Sequence, residues 1–263
     1  MFSHLNKPLH LLLLLTGASL ITPARAAEVS ASTPPPATIV PDNRDGPQHR
    51  AFVELAKKGG IDVLFLGDSI TDWWRTYGKD VFAKYYGSWK IANFGIAGDT
   101  TQQVLWRLQN GEGTGFQPKV IMLMIGTNNA GRNTAYEIAL GVAAIVKELR
   151  QDFPAAKILL LGIFPRGNPG DEVRGKLGTV NALISQMNDL DHVFYLDIGR
   201  KFLDANGNFL PGAFNDDKLH PAAGGYEIWA QAVQEPLANL LKAAAPAPAA
   251  VPVTSTPASP ARP

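Results

Sequence analysis

The chain has 263 residues, 46% of them hydrophobic, with 24 Lys and Arg against 23 Asp and Glu and no cysteine. So even a charge balance gives no electrostatic reason to expect nucleic acid or an anionic membrane surface as partner. The absence of thiols excludes a disulfide framework, a cysteine nucleophile and a lipid anchor on cysteine.

The chain opens with Lys7, an apolar run over 11–21 and then Ala24-Arg25-Ala26. A basic start, a short apolar stretch and small residues at the cleavage position predict a signal peptide over 1–26, and hence export to the periplasm or the medium. The run is too short to form a stable membrane span. Lys7 and Arg25 are the only charged residues of this leader, so removing it leaves 22 basic and 23 acidic residues. Residues 27–47 are rich in Pro, Ala, Ser and Thr and read as a linker, and the Ala/Pro alternation over 243–263 reads as a disordered tail. Between them, residues 48–242 are enough for one sizeable core.

Within that span, short apolar runs at 61–66, 90–94, 120–125, 158–163 and 193–196 predict five strands. Helical patterns fill the gaps at 101–109, 134–152, 172–190 and 222–241. Such alternation predicts an α/β fold, a five-stranded parallel sheet covered by helices on both faces. No internal repeat and no second domain is visible.

Few serines can serve chemistry. Ser30, Ser32, Ser255 and Ser259 lie in the Pro/Ala-rich ends, Ser88 precedes a strand, and Ser185 sits inside a helical pattern. Ser69, in Gly67-Asp68-Ser69-Ile70-Thr71, stands at a strand-to-helix turn, where ligands bind in parallel sheets. An ordinary helix cap would use the same residue.

Among the histidines, His4 and His10 belong to the leader, His49 lies in a polar segment before the first strand, and His192 opens a strand at the wrong end of the sheet. His220 shares a short loop with Asp217. An alcohol needs a base to remove its proton, and the base needs an acid to fix its tautomer. Asp217 suits that role, with Asp216 as the alternative under a one-residue slip.

The third requirement is donors for a developing oxyanion. The loops containing Gly98 and Asn128 follow the second and third strands. The Ser69 N–H, the Gly98 N–H and the Asn128 side-chain amide are assigned to that task, although tight turns favour Gly and Asn anyway. Asp68, Ile70, Trp73, Thr127 and Arg166 are candidate substrate contacts. Trp73, with Trp74, Tyr77 and Trp106, could line an acyl or sugar pocket, or belong to the core. Arg166 could meet a polar or anionic leaving group, or tie its loop to the next helix. No metal-ligand pattern is present.

Gly-Asp-Ser at Ser69, the glycine at 98, Gly-Thr-Asn at Asn128 and Asp-x-x-His at Asp217 and His220 resemble the four blocks of the SGNH or GDSL hydrolases, in order. The segments 66–74, 126–129, 158–167, 195–199 and 219–229 resemble the branch formed by the catalytic subunits of intracellular platelet-activating-factor acetylhydrolase and their bacterial relatives. The resemblance implies a flavodoxin-like three-layer α/β/α sandwich and ester hydrolysis through an acyl-serine without metal or organic cofactor. It implies Ser69 as nucleophile, His220 as base, Asp217 as its partner, and Gly98 and Asn128 as oxyanion donors. It leans toward a short acyl group, acetyl above all, and includes a homodimer among its assemblies. Those enzymes are cytosolic whereas this chain carries a leader, so their lipid substrate is not carried over. A small-molecule or carbohydrate ester is the expected substrate.

Three rivals share the fold: a carbohydrate O-acyltransferase, a non-catalytic carbohydrate-binding protein, and a flavin-binding protein. A true α/β-hydrolase is disfavoured by the absence of a G-x-S-x-G elbow.

Overall fold

A computed structural model describes residues 35–244. The signal peptide, residues 27–34 of the linker and nearly all of the tail expected above lie outside the described residues.

Five parallel strands form the centre: β1 (Val63–Gly67), β2 (Ile91–Gly95), β3 (Val120–Met124), β4 (Lys157–Leu161) and β5 (Val193–Leu196), in spatial order β2-β1-β3-β4-β5. Every residue of β1 and β3 is buried, as expected for a sheet covered on both faces. Register runs from Val63 opposite both Ile91 and Val120 to Gly67 opposite both Gly95 and Met124, so the three strands finish level.

The helices are α1 (Pro47–Lys58), α2 (Ser69–Asp72), α3 (Lys79–Tyr86), α4 (Thr101–Arg107), α5 (Ala135–Asp152), α6 (Glu172–Ile184) and α7 (Ala223–Ala243). α4, α5 and α6 pack side by side, and α3 packs against α7. Right-handed crossovers require that division, because the chain moves one way from β1 to β2 and the other way thereafter. The reversal leaves a crevice at the carboxyl ends of β1 and β3, the place where doubly wound sheets bind ligands. Ser69 follows one of those strands and Asn128 the other.

Two helices and one loop differ from the sequence expectation. α1 has Pro47 in its first turn and buries His49, Phe52 and Ala56 on one face. His49 therefore does not lie in a polar segment; it is buried and bonded at Nδ1 to Glu112 Oε1, 2.8 Å away. α3 buries Tyr86 against Phe65 and Trp74, a contact that its eight residues alone do not reveal. Part of the stretch expected as linker is fastened down: Thr38 is buried, donates to the Glu137 carbonyl at 2.7 Å, and accepts from Thr101 Oγ1 at 3.2 Å. Helical φ/ψ ends near Asn110 and Gly111, after α4.

Candidate active site

The turn after β1 is made of residues with no room to spare. A Cβ on Gly67 would sit 2.3 Å from Thr71 Oγ1 and 2.4 Å from the Met124 carbonyl oxygen, so only glycine lets the strand end so close to β3 and to the helix that follows. Asp68 caps α2, its Oδ1 accepting from the Ile70 N–H at 3.0 Å. From α7, the Tyr226 hydroxyl donates to the Ile70 carbonyl at 2.8 Å. Ser69 is thereby fixed at the first position of a four-residue helix pinned through both backbone groups of Ile70.

His220 arrives 151 residues later. Its Nε2 lies 2.8 Å from Ser69 Oγ, and its Nδ1 lies 2.6 Å from Asp217 Oδ2. The carboxylate beside Nδ1 keeps the proton there, which leaves the Nε2 lone pair facing the serine hydroxyl. Asp217 Oδ1 also accepts from the N–H groups of Leu219 and His220 at 2.9 and 3.0 Å. Burial pushes the Asp217 carboxyl up, and the His220 side chain and these two N–H groups more than offset it, so it ionises below the usual carboxylate range. Asp216 is exposed; the contact to Nδ1 is made by Asp217.

The loop carrying Asp217 is held by its own turn. Lys218 adopts a left-handed conformation with φ of 52° and donates its N–H to the Asn215 carbonyl at 2.9 Å. Its carbonyl accepts from the Gly167 N–H at 2.9 Å. Over the other side of the imidazole, the Trp73 ring stacks at 3.9 Å between centroids and 26° between planes. Tyr77, half exposed, lies 5.2 Å from Trp73.

Gly98 takes φ of 85°, and open space surrounds the place a Cβ would occupy. Asn128 Nδ2 donates to the carbonyl of Asp99 at 2.9 Å, so the two loops assigned to the oxyanion are bonded to each other. Behind them lies a buried ionic cluster. The Arg107 Nε donates to Asp99 Oδ2 at 2.7 Å, its Nη1 to Glu112 Oε2, and its Nη2 to the Gly67 carbonyl at 3.4 Å. Arg44 Nε adds a second contact to Asp99, at 2.6 Å. One guanidinium thus spans the strand end before Ser69 and the loop after Gly98. Sequence reading missed Arg107, Asp99, Glu112 and His49. The signal for Arg107 was a charged residue three positions after Val104 in α4, whose other buried residues are Thr101, Val104 and Leu105.

The expected substrate contacts separate into groups. Asp68 and Thr127 are buried, and Asp68 Oδ2 and Thr127 Oγ1 have no hydrogen-bond partner in the protein. Burial, with the Asp99 charge as a lesser contribution, raises the Asp68 carboxyl to about 7 against the pull of the Ile70 N–H and Arg166. Ile70 is buried. Arg166 Nη1 donates to the Thr127 carbonyl at 3.3 Å, so it binds the oxyanion-side loop through backbone rather than forming a salt bridge to the next helix. Trp74 does not line a pocket: it is buried among Tyr226, Trp229 and Tyr86, at 4.6, 5.0 and 5.9 Å. Trp106 faces His49 at 5.1 Å, against α1. Trp73 and Tyr77 are the members of that aromatic set found near the imidazole.

The GDSL-like Lipase/Acylhydrolase family model matches residues 65–228. The alpha2 subunit of human platelet-activating factor acetylhydrolase IB is 38% identical over 204 residues, 76% of this chain and 86% of that protein. The chain belongs to the GDSL-like lipase/acylhydrolase family. A GDSL-like lipase of Bacteroides thetaiotaomicron shares the fold at TM-score 0.58 and 17% identity, over 73% of this chain and 97% of that one. An acetylxylan esterase of Geobacillus stearothermophilus does so at TM-score 0.55 and 21% identity, over 70% and 94%. As a GDSL-like acylhydrolase the protein is an ester-hydrolysing enzyme, with the flavodoxin-like α/β/α architecture that the sequence predicts. Among the described residues no helix is long and apolar enough to cross a membrane, and no group of three or more His, Asp or Glu is placed to hold a metal ion.

Proposed function

We propose that the protein is an exported serine esterase that removes short acyl groups, chiefly acetyl, from small-molecule or carbohydrate esters. The observation that carries this reading is the continuous chain Ser69 Oγ to His220 Nε2 at 2.8 Å and His220 Nδ1 to Asp217 Oδ2 at 2.6 Å.

In the first half-reaction Ser69 Oγ forms a bond to the ester carbonyl carbon as its proton passes to Nε2, and the imidazolium is held against the ionised Asp217. The carbonyl oxygen takes the negative charge and meets the Ser69 N–H, the Gly98 N–H and the Asn128 amide. The C–O bond to the alcohol breaks, the alcohol leaves with the Nε2 proton, and an acyl-serine remains. Water repeats the sequence, giving its proton to Nε2 and releasing the acid. Preference for acetyl is supported by the 38% identity to an acetylhydrolase subunit, and a carbohydrate ester by the shared fold with an acetylxylan esterase. Export rests on the pattern of 1–26.

The test is a chain-length series of 4-nitrophenyl esters from acetate to octanoate alongside acetylated sugars, with Ser69→Ala as control and product analysis with and without added alcohol. The reading predicts the highest kcat/KM at acetate, free acid as the main product and no turnover by Ser69→Ala. A maximum at octanoate refutes the acetyl preference, acyl transfer to the alcohol makes the protein a transferase, and wild-type turnover by Ser69→Ala removes the mechanism. Secretion of the precursor with the mature chain starting near Ala27 is expected in a bacterial host, and full-length protein retained in the cytosol overturns the export.

A further inference from the structure

A groove leads away from the Asn128 loop. Two adjoining cavities, of about 370 and 1020 Å³, share Gly131, Glu172 and Lys176 in their walls. The smaller begins at Arg166, which is bonded to the carbonyl of Thr127, the residue before Asn128. The larger continues past Arg132 between the start of α5 and the start of α6. Neither is lined by an aromatic side chain.

Some of its charges are already committed. The Arg174 guanidinium is spent on the carbonyls of Arg166, Gly167 and Gly207 and lies over the Phe209 ring. Asp171 accepts from the Asn168 N–H at 2.7 Å. Lys176 uses one of its three donors on the Ala130 carbonyl at 2.8 Å. The side chains with capacity left to meet a ligand are therefore Arg132, Arg166 and Lys176, against Glu172. With Arg174 and Asp171 counted as well, four cations face two anions along an open passage beginning beside the site. Without an aromatic platform it is unsuited to stacking on a neutral sugar face, and its charge focuses on anions.

We propose that this groove is a leaving-group subsite selecting esters whose alcohol bears a negative charge, a carboxylate or a phosphate, on the side of the ester remote from the acyl group. This rests on the serine-esterase reading above, since the groove orients the alcohol half of an ester attacked by Ser69. Arg166, bonded to the Thr127 carbonyl, stands at the end of the groove next to the Asn128 loop; Lys176 borders both cavities and Arg132 the larger one.

The experiment compares three acetyl esters, of a uronic acid, of glycerol phosphate and of the corresponding neutral sugar, each as kcat/KM relative to 4-nitrophenyl acetate. The full-length protein is assayed at about 20 and about 300 mM salt. The expected preference for the anionic esters is about tenfold at low salt and shrinks toward unity as screening increases. Lys176→Glu and Arg132→Glu each cut the preference about threefold or more, mainly through KM, while Glu172→Gln increases it about twofold. A uronate preferred over the phosphate names an acidic carbohydrate as the source, and the reverse a phosphorylated alcohol. Equal ratios for anionic and neutral esters, insensitive to salt in the wild type, overturn the subsite while 4-nitrophenyl acetate turnover leaves the esterase reading standing. Turnover of that aryl ester independent of Ser69 defeats the esterase reading instead.

Discussion

Two chains of charged and hydrogen-bonding side chains meet at the turn after β1, and they differ in almost every physical respect. The Ser69–His220–Asp217 relay lies toward solvent, with the Asp217 side chain 45% exposed and that of His220 13%. The Asp99–Arg107–Glu112 cluster is fully buried and contains no group aimed at an ester. A reacting relay has to exchange protons with substrate and water and to pass through a charged imidazolium. A foundation has only to stay in one arrangement, and buried ions do so because separating them leaves an uncompensated charge in a low dielectric. On the proposed mechanism the chemistry falls to the wetter chain, while the drier one holds the Gly67 and Gly98 segments together.

The sharpest way to break that division is to delete the hydroxyl. Ser69→Ala is expected to lower kcat on 4-nitrophenyl acetate by about 10⁴-fold or more while leaving the denaturant midpoint nearly unchanged. A large stability loss in that variant would mean that the relay is also structural. Arg107→Met tests the opposite half. It removes the guanidinium that Asp99 and Glu112 share, leaving Asp99 with Arg44 and Glu112 with His49, and a loss of about 3 kcal/mol in urea unfolding is expected. A loss below about 1 kcal/mol would remove the foundation role.

Asp68 stands between the two regions and makes stability depend on pH. Its folded-state value of about 7 lies above the ordinary carboxylate value, so the folded protein holds this proton more tightly than the unfolded chain. The resulting stabilisation is complete below about pH 4 and is lost as pH rises through about 7, amounting to about 4 kcal/mol at the limit. Asp68→Asn keeps the acceptor for the Ile70 N–H and removes the titration. Stability of the wild type minus that of the variant should therefore fall steadily from pH 4 to 7, and a flat difference contradicts the buried neutral acid. The smallest effect is expected at Asp216: Asp216→Asn should change kcat/KM by less than about twofold, whereas Asp217→Asn costs about 10²-fold or more. Reversed magnitudes would transfer the role of acid to Asp216.

Much of the candidate site was legible because its parts are local. A serine after an all-apolar strand, a glycine and an asparagine after the next two, and an Asp-x-x-His before a helix can each be found within a few residues of chain. The sheet was legible for the same reason, since buried parallel strands read as apolar runs. α1 and α3 were not: α1 carries four charged residues in twelve and α3 three in eight, and packing against residues distant in sequence is what gives each its buried face. His49 illustrates the limit. It looked solvated because its partner, Glu112, is 63 positions away. Trp74 erred the other way, looking like a pocket wall beside the nucleophile when α3 and α7 had enclosed it.

The sequence by itself determined the strand-helix alternation, the family and the identities of the residues at the turn ends, because apolar periodicity and short-range turn chemistry are properties of neighbouring residues. Tertiary structure alone decided which carboxylate meets His220, which tryptophan covers its ring, and that one buried guanidinium spans the segments on either side of the crevice. Those outcomes depend on distances between residues far apart in the chain, set by the level ends of β1, β2 and β3 and by the reversal of strand order between β1 and β3.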